Sequence, residues 1–207
     1  LEGDKGDNTG GMGAYSPSRL INQVLEAKIL NKIIKPTIRA LQKMGSNYKG
    51  FLYAGLMIVN DEPYLIEYNV RMGDPECQTI LPKLKTDLLE IIEACCNKKL
   101  ESLKIEWYDK KSLCIVLCSK GYPDKYNNNI LIENTENLDL GENDFVYHAG
   151  TKKIQNKIYS NGGRVITFVS LSSDFKESRD KIFTHIKKLN WNGGFFRKDI
   201  GYKVIDE

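Results

Sequence analysis

The sequence predicts an α/β chain whose later part is a smaller, strand-rich α+β unit. Three observations predict it. Apolar residues recur at helical spacing from Leu20 to Met44, and two strand-like runs flank a turn between Phe51 and Val70. Beyond residue 110 short strand-like runs dominate, with one amphipathic helix near the end. Residues 100–110 are polar and without strong period, which makes them the expected boundary.

The elements follow in order. Residues 3–13, GDKGDNTGGMG, read as a glycine-rich loop. Leu20, Ile21, Val24, Leu25, Ile29, Leu30, Ile33, Ile34, Ile38 and Leu41 mark one helical stretch. Pro36 either kinks it or opens a second helix at its first turn, and Gly45 is placed to end it. Phe51–Val59 and Tyr64–Val70 form a hairpin across the turn Asn60–Pro63. Asp87 and Glu90 have capping-box spacing for a helix over Leu88–Asn97, with Lys98 and Lys99 near its negative end. Strands are expected at Leu113–Cys118, Ile130–Ile132, Phe145–His148, Lys157–Tyr159 and Val165–Leu171. Asp174 then caps a helix that carries Ile182, Phe183, Ile186 and Leu189.

Composition narrows the function. The 207 residues are 41% hydrophobic and 28% charged, enough apolar material for a packed core. A net charge of +3 against 30 basic residues leaves no basic stripe, so no nucleic-acid partner is expected. No apolar run of membrane-spanning length occurs, so no membrane role is expected either. The five cysteines include no C-x-x-C pair and fit reduced thiols in the cytoplasm. With only His148 and His185, no zinc site is expected.

The chemistry concentrates in Leu65–Arg71. Strand alternation puts Leu65, Glu67, Asn69 and Arg71 on one face and Tyr64, Ile66, Tyr68 and Val70 on the other, expected to be buried. Glu67 and Asn69 can then offer two oxygens to one hard divalent cation, and Arg71 can hold a phosphate or carboxylate. The same pattern also fits a solvent-facing strand edge. Arg71-Met72-Gly73-Asp74-Pro75-Glu76 follows as a corner that presents Asp74 and Glu76. The loop Asn8-Thr9-Gly10-Gly11-Met12-Gly13 lacks the third glycine of a dinucleotide fingerprint and the Gly-Lys-Ser/Thr of a Walker loop. Its exposed N–H groups suit either an anion-wrapping loop or a plain linker.

Taken in order, Asn8–Pro17 (NTGGMGAYSP), Gly50–Met57 (GFLYAGLM), Ile66–Asn69 (IEYN), Arg71–Glu76 (RMGDPE), His148–Thr151 (HAGT), Asn161–Val165 (NGGRV) and Arg197–Gly201 (RKDIG) resemble the glycinamide ribonucleotide synthetase family. The resemblance implies the C-terminal part of an ATP-grasp domain over 1–105, then the family's C-terminal domain over 106–207. It implies a ligase that joins glycine to 5-phosphoribosylamine in purine biosynthesis, with ATP as co-substrate, through glycyl phosphate. By the same resemblance Glu67 and Asn69 hold Mg²⁺ or Mn²⁺, and Arg71 and Asp74 are catalytic. Asn8, Thr9, Gly10, Gly11 and Gly13 meet the acceptor substrate, with Arg164 and Arg197 as phosphoribose contacts. Asp7 departs from the proline that the family commonly carries there. The match begins partway through the family's length, after its N-terminal domain and ATP lid. The chain alone is therefore expected to be silent, its missing half supplied in cis or in trans. Another ATP-grasp carboxylate–amine ligase and a non-catalytic truncated module are the competing readings.

Overall fold

The computed structural model describes residues 1–205, and the chain divides into two compact units that interleave in sequence. The first comprises Leu1–Ser16, Asp74–Lys83 and the residues from Asp109 onward; the second comprises Pro17–Gly73 and Leu84–Tyr108.

In chain order the first unit opens with strand β1 (Gly13–Ser16). The second unit follows with α1 (Gln23–Ile29), a π-helical turn (Leu30–Ile34), α2 (Lys35–Lys43) and the hairpin strands β2 (Tyr53–Val59) and β3 (Glu62–Asn69). Helix α3 (Glu76–Ile80) belongs to the first unit and α4 (Leu88–Cys96) to the second. The rest is first-unit: β4 (Lys111–Ser119), β5 (Leu131–Ile132), β6 (Asp144–His148), β7 (Thr151–Ile154), β8 (Lys157–Ser160), β9 (Arg164–Ser172), α5 (Phe175–Lys188), β10 (Gly194–Phe195) and α6 (Tyr202–Ile205).

The first unit is built on an antiparallel sheet ordered β1-β4-β9-β6, with β10 also pairing β4, beside a three-stranded sheet β5-β8-β7. Strands β4 and β9 are buried on both faces, so they read in sequence as nearly continuous apolar runs. Leu113, Ile115 and Leu117 of β4 join Ile166, Phe168, Phe175 and Ile182 in one core cluster, to which α5 contributes. Cys114, Val116 and Cys118 face the other way and pack with Met12, Val169 and Leu171. Helix α5 begins as expected, with the Asp174 carboxylate accepting from the Glu177 N–H.

The second unit has a different economy of burial. Leu25 is its only fully buried side chain among the described residues. The helical stretch does not break at Pro36. Proline has no N–H to give the Lys32 carbonyl and its ring crowds that carbonyl, and the turn just before it widens to π geometry. Thr37 Oγ1 and the Tyr68 hydroxyl both donate to the Ile33 carbonyl. The hairpin turns through Asn60 and Asp61, both at positive φ, so β3 starts at Glu62, earlier than the sequence suggests. Pro63 sits within it, tolerated because β3 is an edge strand.

Candidate functional site

The chemistry-bearing residues fall into one group in each unit. In the first, the glycine-rich loop leads into β1, which pairs antiparallel with β4 from Gly13 opposite Ile115 to Ser16 opposite Ser112. Gly13 is required by that approach: a Cβ there meets the Cys114 carbonyl oxygen at 2.7 Å. Gly11 has φ +100°, and a Cβ on it meets Pro75 Cδ at 2.7 Å. Three of the loop's N–H groups already have partners in the protein. The Asn8 carboxamide oxygen accepts from the Thr9 N–H, Thr9 Oγ1 from the Gly11 N–H, and the Tyr122 hydroxyl from the Gly10 N–H at 3.0 Å.

Arg164 sits at the start of β9, placed there by two glycine turns. The Gly150 N–H donates to the Arg164 carbonyl, and the Asn161 N–H donates to the Gly150 carbonyl. A Cβ on Gly150 meets the Arg164 carbonyl oxygen at 2.6 Å, so the backbones of the HAGT and NGGRV segments close on each other. From this base one terminal nitrogen of the guanidinium donates to the carbonyls of Gly10 (2.8 Å), Asp74 (2.6 Å) and Gly11 (3.4 Å). The other donates to Asp74 Oδ2 at 2.9 Å. The remaining carboxylate oxygen of Asp74 accepts from Gln78 Nε2 at 2.8 Å. Asp74 and Pro75 are joined by a cis peptide bond.

Arg197 holds the beginning of the same loop. It donates to both carboxylate oxygens of Asp199, at 2.9 and 2.6 Å, and to Asp4 at 2.8 Å. Asp199 also accepts from the Gly3 N–H, and Asp4 from the Tyr202 hydroxyl. Hydrogen bonding to Asp199 raises the Arg197 pKa, and the same bond lowers Asp199 to about 2. Asp4 is held below the usual carboxylate range by its bonds to Arg197 and Tyr202.

A cleft of about 380 Å³ opens against the loop, lined by Gly6, Asp7, Thr9, Lys120, Tyr122 and Phe195 among others. Lys120 and Tyr122 are missed by the sequence reading. The signal available was the Lys120-Gly121-Tyr122-Pro123 turn straight after a buried strand, which carries no motif of its own.

In the second unit the expected neighbours meet. Asn69 Nδ2 donates to Glu67 Oε1 at 2.9 Å, so both side-chain ends lie on one face of β3. Gly55 stands opposite Glu67, and a Cβ there meets Glu67 Cγ at 3.2 Å, so the missing side chain leaves room for the carboxylate's stem. The pair is exposed to half-buried, and a half-turn of the Asn69 amide offers Oδ1 beside the carboxylate. Two hard oxygen donors on an open face fit a Mg²⁺ or Mn²⁺ ion that takes its other ligands from water and phosphate. Arg71 is exposed and donates to the adjacent Met72 carbonyl.

The expected apolar face of this strand is a correction. Tyr64, Ile66 and Val70 are 56, 65 and 76% exposed, and Tyr68 alone is half-buried, its hydroxyl on Thr37. Leu65 pairs with Leu56 and Glu67 with Gly55, leaving Ile66 as a bulge residue between them. A bulge interrupts the alternation, so the phase counted from Leu65 does not carry through to Glu67.

The thiols of Cys114 and Cys118 are each pushed up to about 12 by burial, which leaves both as inert core groups. His148 Nδ1 meets Thr151 Oγ1 at 3.1 Å, a turn contact. Among the described residues no helix is long and apolar enough to cross a membrane.

Residues 1–77 match the family model for the phosphoribosylglycinamide synthetase ATP-grasp (A) domain, and residues 112–203 match the model for the C domain of the same synthetase. A phosphoribosylamine–glycine ligase of Caldanaerobacter subterraneus is 47% identical over 96% of this chain and 47% of its own length. The trifunctional purine biosynthetic protein adenosine-3 of Gallus gallus is 42% identical over 99% of this chain and 20% of its own. Among solved structures, a phosphoribosylamine–glycine ligase from Thermotoga maritima superposes with a TM-score of 0.81 at 31% identity. That match covers 97% of this chain and 49% of the other. The chain thus spans about half the length of the single-activity relatives it matches.

Proposed function

The chain belongs to the phosphoribosylglycinamide synthetase family, and from that premise we propose that it supplies part of an ATP-dependent ligase joining glycine to 5-phosphoribosylamine. The observation that carries the reading is the Glu67–Asn69 pair, two hard oxygen donors meeting on one face of a strand within the ATP-grasp match. In the proposed reaction a glycine carboxylate oxygen attacks the γ-phosphorus of ATP and ADP departs, leaving glycyl phosphate. The amine of phosphoribosylamine then attacks the acyl carbon; phosphate leaves and the nitrogen loses a proton, giving glycinamide ribonucleotide.

Glu67 and Asn69 hold Mg²⁺ or Mn²⁺, which when bound offsets charge on the phosphates. Arg71, exposed and cationic, neutralises charge on the phosphoryl or acyl phosphate group. Asp74 contributes by fixing the corner through its bonds to Arg164 and Gln78. The acceptor lies against the Asn8–Gly13 loop, with the neighbouring cleft and Lys120 available to its phosphate. Arg197 supports the same loop from its first residues. We assign residues 1–105 to the ATP-grasp domain and 106–207 to the C-terminal domain, with a cytoplasmic location and the rest of the ligase supplied in cis or in trans. Turnover is proposed for the complete ligase and not for these residues alone.

The test uses the complete ligase containing this chain. ADP release should require glycine and phosphoribosylamine together, and Glu67→Gln should raise the divalent-ion concentration needed for half-maximal rate. Release supported equally by another carboxylate–amine pair would replace this reading with a different ATP-grasp ligase.

A further inference from the structure

The Arg164 guanidinium donates to backbone carbonyls on two separate chain segments and to a carboxylate on one of them. One of its nitrogens has three carbonyl oxygens within 3.4 Å, from Gly10, Gly11 and Asp74. A terminal guanidinium nitrogen has two hydrogens, so this one is fully committed and unable to join a bidentate grip on phosphate. The guanidinium's positive charge favours all of these oxygens at once. The Arg164 side chain is 23% exposed and that of Asp74 49%, so solvent still reaches the pair and the clamp rests on its several bonds together. The planar fork bridges Asp74's carboxylate and its own carbonyl with two nitrogens, a geometry that a lysine ammonium does not reproduce. The Tyr122 hydroxyl takes the Gly10 N–H.

We infer that Arg164 is a positioning residue: it clamps the Asn8–Gly13 loop to the Asp74–Pro75 corner before any substrate binds, and acts on acceptor binding through the loop. The loop is therefore a preformed cradle, not a strap that closes on its ligand. The clamp itself stands on geometry alone; only its effect on the acceptor rests on the proposed ligase reading.

Two arms separate those layers. The first is amide hydrogen exchange on the complete ligase containing this chain, without substrates. Arg164→Lys keeps charge and stem, yet peptides covering residues 8–13 and 74–78 should exchange about tenfold faster while β4 and β9 stay protected. Arg164→Ala should show a larger loss, and millimolar guanidinium ion should restore part of the protection. Unchanged loop exchange in Arg164→Lys, with β4 intact, overturns the clamp. The second arm is steady-state kinetics on the complete ligase. Arg164→Lys should raise KM for phosphoribosylamine about tenfold and leave KM for ATP unchanged. A KM for the acceptor that does not move overturns the role in acceptor binding. Lost protection in the first arm, with a wild-type ligase that shows no turnover, keeps the clamp and sinks the ligase reading instead.

Discussion

The two units treat their candidate site residues in opposite ways. In the first, Asp74, Arg164, Arg197 and Asp199 each spend their hydrogen bonds on protein partners, and the sheet beneath is buried on both faces. In the second, Glu67 and Asn69 meet each other, Arg71 donates to the neighbouring Met72 carbonyl, and the strand that bears Glu67 and Asn69 is open. The difference separates a preformed scaffold from a set of side chains left available for ligands. Residues of the first kind resist change because something else leans on them. Those of the second kind can be altered at little cost to folding.

That contrast can be broken by mutation. The largest effect should come from the first unit's core: Phe168→Ala, at 1% exposure, should cost about 3–5 kcal/mol in denaturant unfolding. Gly13→Ala comes next. Its new Cβ would press on the Cys114 carbonyl and on Ile200, so about 1–3 kcal/mol and faster amide exchange across β1 are expected.

Acid should loosen the start of the glycine-rich loop in the first unit. Asp199 has its pKa depressed to about 2 from an ordinary 3.8, so its contribution is complete above that ordinary value. It is lost as pH falls through about 2, and proteolysis or exchange near Gly3 and Asp4 should rise between roughly pH 4 and 2. Asp199→Asn should show much of that loosening already at neutral pH.

The smallest effects belong to the second unit. Ile66→Ala and Glu67→Gln should each shift unfolding by no more than about 0.5 kcal/mol, since both side chains are exposed. A cost of several kcal/mol at Ile66 would mean that this face is covered in solution and would end the contrast drawn above.

The sequence shows one unit's elements more readily than the contacts that organise them. The runs at 113–118 and 165–171 were legible because strands buried on both faces leave unbroken apolar stretches. Strand β7 was not, since Thr151-Lys152-Lys153-Ile154 is mostly polar and outward-facing, and its turn at Gln155 and Asn156 relies on two positive φ values. Strand β1 was hidden inside a glycine-rich segment, because only the β4 backbone beside it makes Gly13 extended. At the site, Glu67 and Asn69 were legible because two residues apart is the strand period. Arg164 with Asp74, and Arg197 with Asp4, join positions 90 and 193 residues apart, beyond any local pattern. The bulge at Ile66 was equally invisible, because it depends on how β2 and β3 slide past each other.

The placement of β1 has a consequence for how the chain comes to be folded. Gly13 must find Ile115, and between them lies the whole second unit. On a ribosome adding about 5–20 residues each second, β1 waits several seconds or more for its partner. During that interval α1, α2 and the β2–β3 hairpin, whose contacts are local, can already form. Closing so long a loop costs little more than closing a shorter one, because the entropic cost grows only with the logarithm of length. Until β4 emerges, the glycine-rich loop has neither Arg164 nor Tyr122 to hold it. A later segment thus gives an earlier one its shape.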